Sequence, residues 1–206
     1  MGSVTTSGTA RAGLAPPADA REGSRPARLV VIGGLPGTGK TTLAARLGDA
    51  LGAVVLHSDE ARRHVARLSP SARPTGSFGQ GMYSPEMSEL TYRELLSRAR
   101  KALSEGRNVV VDASWHEPVW REEARRLAAE VSADLAELCC ELPLETIAKR
   151  VTGQAVTLGN AAGETLALVR LLAASQHPWP SAITVDTAPE PARVAEVVLQ
   201  SLAAHN

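Results

Sequence analysis

Aromatic residues are scarce in this chain, with three tryptophans, two tyrosines and one phenylalanine among 206 residues. A hydrophobic core must therefore be built mainly from alanine, leucine and valine. Neither sign of charge is in excess, because 22 basic residues balance 22 acidic ones. A neutral chain has no general electrostatic attraction for nucleic acid or for an anionic membrane surface, so we expect neither as a partner.

Cysteine and long apolar runs are also rare. The two cysteines, Cys139 and Cys140, are adjacent within an apolar run. A disulfide between neighbours is strained, so we expect reduced core residues in a cytoplasmic protein. No window has the length of apolar sequence that a bilayer requires, and the first residues lack the apolar stretch of a secretory signal. No group of cysteines and histidines has the spacing of zinc ligands.

What the chain does contain is an alternation of strand and helix patterns that begins at Arg28. Residues 1–27 are rich in Gly, Ser, Pro, Ala and Thr without periodicity, so we predict a disordered tail followed by one domain over residues 28–206. Five apolar runs typical of buried strands alternate with helical patterns in this domain: RLVVIG, AVVLHS, NVVVDAS, ADLAELCCEL and SAITVD. Longer loops are predicted over residues 69–82 and 152–163. This order predicts an α/β fold with a five-stranded parallel sheet and helices on both faces, whose ligands bind where the strands end.

The stretch GGLPGTGKTT, residues 33–42, places four glycines directly after the first of these runs. Residues 34–41 match the Walker A pattern G-x-x-x-x-G-K-[ST] without a mismatch, and they lie between a strand and a helix as that motif requires. The glycines allow backbone N–H groups to turn inward and form a nest for an anion, toward which the following helix directs its positive end. We therefore predict a phosphate loop for a nucleoside triphosphate, formed by Gly34, Leu35, Pro36, Gly37, Thr38, Gly39, Lys40, Thr41 and Thr42.

Four side chains in or near this loop have specific predicted roles. Lys40 would reach the β- and γ-phosphates, and the hydroxyl of Thr41 would ligate Mg²⁺. Asp59 follows the second strand and would accept the proton of a hydroxyl that attacks the γ-phosphate, with a helix N-cap as the alternative. Asp112 ends the third strand and would hold Mg²⁺ through water, with a turn-initiating aspartate as the alternative.

Other nucleotide-dependent classes fit the sequence less well. No N-K-x-D run for guanine is present, which disfavours a GTPase. The chain is short for a motor ATPase of the AAA type, and the third strand ends in Asp112 without a following glutamate. The sequence therefore favours a kinase that acts on a small molecule.

The set GLPGTGKTTLA, SDEAR and VVVDASW…WREEA resembles P-loop kinases of the zeta-toxin and polynucleotide-kinase-like group. It is most similar to bacterial AAA-domain kinases with a GLPGTGKST loop, and the resemblance runs from about Arg28 to the C-terminus. The resemblance implies a nucleoside-kinase-like fold with a short lid, ATP with Mg²⁺, and phosphoryl transfer to a hydroxyl. It also implies that Asp59 is the base, that Arg62 is the arginine which follows the base, and that Arg121 is an arginine found after the third strand.

The predicted lid, residues 150–161, departs from this group. Such kinases usually carry a second arginine and an aspartate there, in a pattern like R-L-x-x-R…S-D-A, where this chain has Gln154 and Asn160. Arg150 is the cation that remains in this stretch, with Arg62, Arg73 or Arg170 as the alternatives. A lid normally supplies positive charge to the transferring phosphoryl group. We therefore assign Arg150 to catalysis and expect the weak lid to affect transfer more than nucleotide binding.

Side chains near the predicted acceptor have two interpretations each. A basic cluster either clamps an anionic substrate or forms a solvated helix face: Arg62, Arg63, His64, Arg67 and Arg73. Trp115 either lines the acceptor pocket with His116 or packs in the core. The predicted substrate-binding set is Arg62, Asp112, Trp115 and Arg121. His57, at the end of the second strand, is interpreted as structural.

Three functions stay open at this point. The first is an ATP-dependent kinase of a small hydroxylated molecule. The second is a nucleotide-dependent regulatory or binding protein without efficient transfer, which the weak lid would suggest. The third is a kinase of a nucleotide-sugar or of a nucleic-acid end, although the zero net charge argues against nucleic acid. The acceptor itself has no signature in the sequence.

Overall fold

The structure is a computed structural model that describes residues 25–68, 84–157 and 162–204, with the side chains of residues 154–157, 162–165 and 168 outside the description. Most of the predicted tail and all of the predicted loop 69–82 lie outside the described residues. Within the described ranges, no helix has the length and apolar character of a membrane span.

The described residues form five strands and seven helices, with one or two helices between successive strands. The strands are β1 (Arg28–Gly34), β2 (Val54–His57), β3 (Val109–Asp112), β4 (Asp134–Glu141) and β5 (Ile183–Asp186). The helices are α1 (Lys40–Leu51), α2 (Ser58–Val65), α3 (Pro85–Ser104), α4 (Pro118–Glu130), α5 (Leu144–Thr157), α6 (Ala162–Ala174) and α7 (Pro191–Ala204).

The strands form one parallel sheet in the order β2-β3-β1-β4-β5, so the predicted fold class is confirmed. Alternate residues of β1 face opposite sides of the sheet, as strand geometry requires. Leu29 and Val31 pack against α3 and α4 on one face. Val30 and Ile32 pack against α1 and α7 on the other. The helices thus cover both faces, and β1 lies at the centre with its phosphate-loop end on the ligand edge.

The register of the sheet brings the ends of β2 and β3 together. His57 is paired with Asp112 across these two strands, and Ile32 of β1 is the register partner of Asp112 on its other side. Register partners in neighbouring strands point to the same face of a sheet. The side chains of His57 and Asp112 therefore lie side by side on the face that carries α1.

The helix before the predicted lid is longer than the sequence pattern indicated. We predicted a helix over residues 143–151 and a loop over residues 152–163, but α5 continues to Thr157 and α6 begins at Ala162. A glycine such as Gly153 costs a helix only about 1 kcal/mol relative to alanine. Ile147 and Val151 of α5 are buried with Val169 of α6, and this packing offsets that cost.

Candidate active site

The phosphate loop connects β1 to α1 through backbone conformations that favour glycine. Gly34 has a φ of 130°, and a Cβ atom there would collide with the carbonyl oxygen of Cys140 on the neighbouring strand. Gly39 has a φ of 89° and occupies the N-cap position of α1, so the helix begins at Lys40. Both glycines are thus required by conformation, and the loop bends so that its backbone reaches the start of α1.

The carbonyl oxygen of Leu35 accepts two hydrogen bonds from within the loop. It accepts hydrogen bonds from the hydroxyl of Thr38 at 2.8 Å and from the Nζ of Lys40 at 2.9 Å. Burial lowers the pKa of Lys40, while the negative charge of Asp112 acts in the opposite direction. The ammonium group therefore lies folded over the loop, where an incoming phosphate would compete with the Leu35 carbonyl for it.

Three side chains converge at the ends of β2, β3 and the start of α1. The Oγ1 of Thr41 donates to Oδ2 of Asp112 at 2.7 Å, and Nδ1 of His57 lies 3.0 Å from the same oxygen. The Asp112 residue is only 5% exposed. The hydrogen bond to Asp112 raises the pKa of His57, whereas burial of the imidazole acts to lower it. The sequence analysis assigned Thr41 and Asp112 to the same predicted metal site but interpreted His57 as structural. The strand register that places His57 beside Asp112 has no local sequence signal.

Thr41 and Asp112 are suitable ligands for a magnesium ion. Mg²⁺ prefers hard oxygen donors and is usually held by one or two protein oxygens together with phosphate oxygens and water. No cluster of three or more His, Cys, Asp or Glu side chains suited to a metal occurs in the described ranges. A hydroxyl and a carboxylate in contact beside a phosphate loop match the sparse donor set that Mg²⁺ takes with a nucleotide.

Asp59 and Arg62 lie in α2, directly after the end of β2. The Nη1 of Arg62 is 3.0 Å from Oδ1 of Asp59, and the side chain of Asp59 is 65% exposed. The N-cap residue of α2 is His57, with Asp59 in the first turn, so Asp59 is not the N-cap that we weighed as the alternative. The carboxylate is therefore open to solvent at the ligand edge and held by a neighbouring arginine.

The rest of the basic cluster lies on the helix surface where it is described. His64 is paired with Glu94 of α3 at 3.6 Å, and its side chain is 66% exposed. Arg73 lies outside the described residues. The contact between His64 and Glu94 is of the kind that the solvated-face interpretation predicts.

Helix α5 packs on the phosphate loop and brings Arg150 to it. A Cβ atom on Gly37 would collide with Val151 at 2.6 Å, so the loop and the helix are in close contact. The Nη1 of Arg150 lies 3.9 Å from the position that a Cβ atom of Gly39 would take. The guanidinium thus lies above the N-terminus of α1. Residue 160 and the side chain of Gln154 are outside the description.

Trp115 is a core residue in the structure. It is fully buried, its φ is 49°, and its backbone N–H donates to the hydroxyl of Tyr92 at 2.8 Å. The aromatic rings of the two residues are in contact, with centroids 5.3 Å apart. Of the two interpretations given to Trp115, its position corresponds to packing, and its side chain is not presented to a substrate.

Arg121 is likewise buried, with 3% exposure. It donates from Nε to the carbonyl oxygen of Trp115 at 2.6 Å and from Nη1 to that of Pro178 at 2.8 Å. Its Nη2 donates to the carbonyl oxygens of His116 and His177, and its guanidinium lies 4.5 Å from the ring centroid of Trp179. Arg121 therefore ties the loop after β3 to the segment before β5 and has its donors engaged by backbone.

Thr187 joins the edge strand β5 to the phosphate loop. The hydroxyl of Thr187, just after β5, donates to the carbonyl oxygen of Thr38 at 2.5 Å. Thr187 itself is 8% exposed. No local pattern could have indicated this contact, because the two residues are 149 positions apart.

Comparison with known proteins places this geometry in context. Residues 29–177 match the family model AAA_33, described as an AAA domain. The uncharacterized protein Rv2004c of Mycobacterium tuberculosis (strain ATCC 25618 / H37Rv) is 34% identical over 161 residues, which cover 78% of this chain and 32% of that protein. The chain thus spans about a third of the length of the curated relatives it matches.

Two solved structures share the fold at low sequence identity. The Mycobacterium tuberculosis APS kinase CysC, in complex with AMPPNP and APS, superposes with a TM-score of 0.65 and 21% identity over 87% of this chain and 99% of that one. A gluconokinase from Sinorhizobium meliloti 1021 superposes with a TM-score of 0.58 and 17% identity over 87% of this chain and 94% of that one. The chain therefore has the fold of P-loop kinases.

Proposed function

The chain belongs to the AAA_33 family of AAA domains, and from this premise we propose that it is an ATP-dependent kinase that phosphorylates a hydroxyl of a small molecule. The observation that carries the proposal is the contact between Thr41 and Asp112 at 2.7 Å beside the intact Walker A loop. A glycine-rich turn with only a structural role would need neither this pair nor the lysine folded over the loop.

The residues of the phosphate loop are the proposed site for the ATP phosphates. Backbone N–H groups of residues 37–42 and the N-terminus of α1 would bind the phosphates, and Lys40 would exchange its bond to the Leu35 carbonyl for the β- and γ-phosphates. Thr41 and Asp112 are the proposed ligands of Mg²⁺, Asp112 through water. When bound, the ion would neutralise charge on the phosphate oxygens.

Asp59 is the proposed general base. The acceptor hydroxyl would attack the γ-phosphorus while the bond to the bridging oxygen breaks, and ADP would leave with that electron pair. The hydroxyl proton would pass to Asp59, whose open position at the ligand edge suits contact with an acceptor. Arg62, paired with Asp59, would orient this carboxylate and the acceptor.

Arg150 is the proposed cationic group for the transferring phosphoryl. Support comes from its position above Gly39, at the end of the loop where the phosphates would bind. A preorganised cation at the developing charge stabilises the transition state of phosphoryl transfer. Trp115 and Arg121 would act indirectly, by fixing the loop that follows β3.

The nature of the acceptor is inferred from the solved relatives of the fold. The names of these structures describe kinases of small molecules, which supports a small hydroxylated acceptor. We propose a cytoplasmic location because the reaction would use ATP. The zeta-toxin and polynucleotide-kinase-like subgroup, with nucleotide-sugar or nucleic-acid acceptors, stays a second proposal. The chain spans about a third of the length of its curated relatives. The proposal therefore covers only the part of those proteins that the chain matches.

A screen of hydroxylated metabolites tests the proposed function. The chain would be incubated with ATP, Mg²⁺ and panels of sugars, polyols, hydroxy acids and nucleosides, and phosphorylated products would be detected by mass spectrometry. We expect a product with one panel and none with Asp59→Asn. If ATP binds in a Mg²⁺-dependent manner but no panel yields a product, the nucleotide-dependent binding protein replaces the kinase as the preferred function.

A further inference from the structure

His57 makes a contact that neither the sequence motifs nor the proposed reaction requires. It ends β2 in register with Asp112 of β3, and its Nδ1 lies 3.0 Å from Oδ2 of that carboxylate. We propose that His57 is a positioning residue for the magnesium site, which holds the Asp112 carboxylate in place beside Thr41. This inference rests on the proposed function, because it takes Thr41 and Asp112 as the residues that bind Mg²⁺.

The local structure does not account for a histidine at this position. His57 is the N-cap residue of α2, yet its side chain makes no capping hydrogen bond. Ser, Thr, Asp and Asn are the residues preferred at an N-cap because their side chains accept from the first turn. The imidazole is instead directed at the neighbouring strand. The bond to Asp112 is thus the described interaction that explains the residue type.

The geometry shows how the histidine would act. Asp112 lies at the last position of a four-residue strand, where the backbone alone does not fix the orientation of its carboxylate. Both described hydrogen bonds to it converge on Oδ2, one from Thr41 and one from His57. Thr41 is itself a proposed metal ligand, so its hydroxyl has two tasks. His57 is the donor that orients the carboxylate without contacting the ion.

The expected size of the effect follows from other metal sites. Partners that hydrogen-bond to metal ligands fix their orientation, and removal of such a partner typically costs about 10–100-fold in metal affinity or activity. Loss of the His57 imidazole should therefore weaken the magnesium-dependent part of nucleotide binding. It should leave binding to the phosphate loop without metal unchanged, because the hydrogen bond described for His57 is to Asp112 and not to a residue of the loop.

The test compares two substitutions of His57 with one control. His57→Ala removes the donor, whereas His57→Asn retains an N–H at about the position of Nδ1. His64→Ala changes a histidine on α2 that is exposed and paired with Glu94. Affinity for the non-hydrolysable analogue AMPPNP would be measured by calorimetry in the presence of EDTA and across a Mg²⁺ titration. Thermal unfolding without nucleotide would establish that each variant is folded.

We expect His57→Ala to raise the Mg²⁺ concentration at half-maximal enhancement of binding about tenfold, with affinity in EDTA unchanged. His57→Asn should fall within about threefold of the wild type, and His64→Ala should match it. A wild-type Mg²⁺ titration for His57→Ala would overturn the inference. So would an equal loss of affinity with and without Mg²⁺ in both His57 variants, since that pattern indicates a structural role alone.

Asp112→Asn separates this inference from the proposed function. If Asp112→Asn abolishes the Mg²⁺ enhancement and His57→Ala does not alter it, the metal site stands and the role of His57 is wrong. If Asp112→Asn binds nucleotide with the Mg²⁺ dependence of the wild type, the proposed metal site is wrong, and the inference about His57 fails with it.

Discussion

The phosphate side and the acceptor side of the candidate site are built from different kinds of contact. On the phosphate side, hydrogen bonds join residues that are far apart in the chain: Thr41 to Asp112 over 71 positions and Thr187 to Thr38 over 149. On the acceptor side, Asp59 is paired with Arg62, three residues away, and Asp59 is largely exposed. Long-range bonds to buried groups hold a site in shape before a ligand arrives, whereas a local pair whose carboxylate is in solvent does not.

This difference indicates that, in the proposed reaction, the phosphate side is formed before the ligands bind and the acceptor side is completed by the acceptor. In that reaction the phosphate side would be ready for an anion, and Lys40, which donates to the Leu35 carbonyl, would be released from it when nucleotide binds. The acceptor side has the carboxylate of Asp59 in solvent, so the acceptor would complete that half of the site and exclude water from it. Substitutions on the phosphate side should therefore reduce nucleotide binding, and those on the acceptor side should reduce transfer.

The largest expected effect is on the phosphate side. Lys40→Ala should lower the rate of phosphoryl transfer by about 10³-fold and weaken ATP binding, because a preorganised cation at the phosphates is removed. Lys101→Ala, an exposed lysine of α3, is the matched control and should be unchanged. Calorimetry with AMPPNP and product formation measure the two quantities. Wild-type affinity and turnover in Lys40→Ala would contradict the assignment of the loop.

The next effect belongs to the acceptor side and should spare nucleotide binding. Asp59→Asn should reduce transfer by about 10²-fold or more, the usual contribution of a positioned base. Its affinity for ATP should stay close to the wild type. Glu60→Gln alters the adjacent exposed acid in the same helix turn and should have no effect on either quantity. If Asp59→Asn turns over normally, the base is another group.

A third substitution tests whether Arg121, which joins the loop after β3 to the segment before β5, has a structural role. Arg121→Met removes a buried guanidinium that donates to four backbone carbonyls, and it should lower the free energy of unfolding by about 2–3 kcal/mol. Arg126→Met on the same helix loses only exposed ion pairs and should change it by less than about 1 kcal/mol. Urea denaturation measures both. Unchanged stability with lost substrate affinity would restore Arg121 as a direct substrate ligand.

The smallest expected effects concern α5, which packs on the phosphate loop. Arg150→Ala should reduce transfer about tenfold while ATP affinity changes little, because the guanidinium would act on charge that develops during transfer. Lys149→Ala, its exposed neighbour, is the control. Gln154→Arg places a second cation one helical turn from Arg150 in the same helix and should raise the rate of transfer about threefold. If neither substitution alters transfer, the proposed role of Arg150 is wrong.

The parts of the fold that depend on contiguous sequence were predicted, and the structure confirms the predicted fold class. Five apolar runs alternating with helical patterns specify a parallel sheet covered on both faces, because each strand is buried on two sides and each crossover needs a helix. The start of α1 at Lys40 follows from glycines whose positive φ ends one element and begins the next. The end of α5 did not follow in this way, since burial of Ile147 and Val151 against α6 extends a helix that local propensity would stop.

By itself, then, the sequence determined the order of the strands and helices along the chain and the identity of the phosphate loop, because both depend on neighbouring residues and on backbone geometry. The tertiary structure alone decided which side chains meet. Strand register placed His57 beside Asp112, and the packing of distant segments buried Trp115 and brought the carbonyl oxygens of His177 and Pro178 to the guanidinium of Arg121. Each of these contacts joins segments separated in the sequence, where a motif of a few residues carries no information about the distance between atoms.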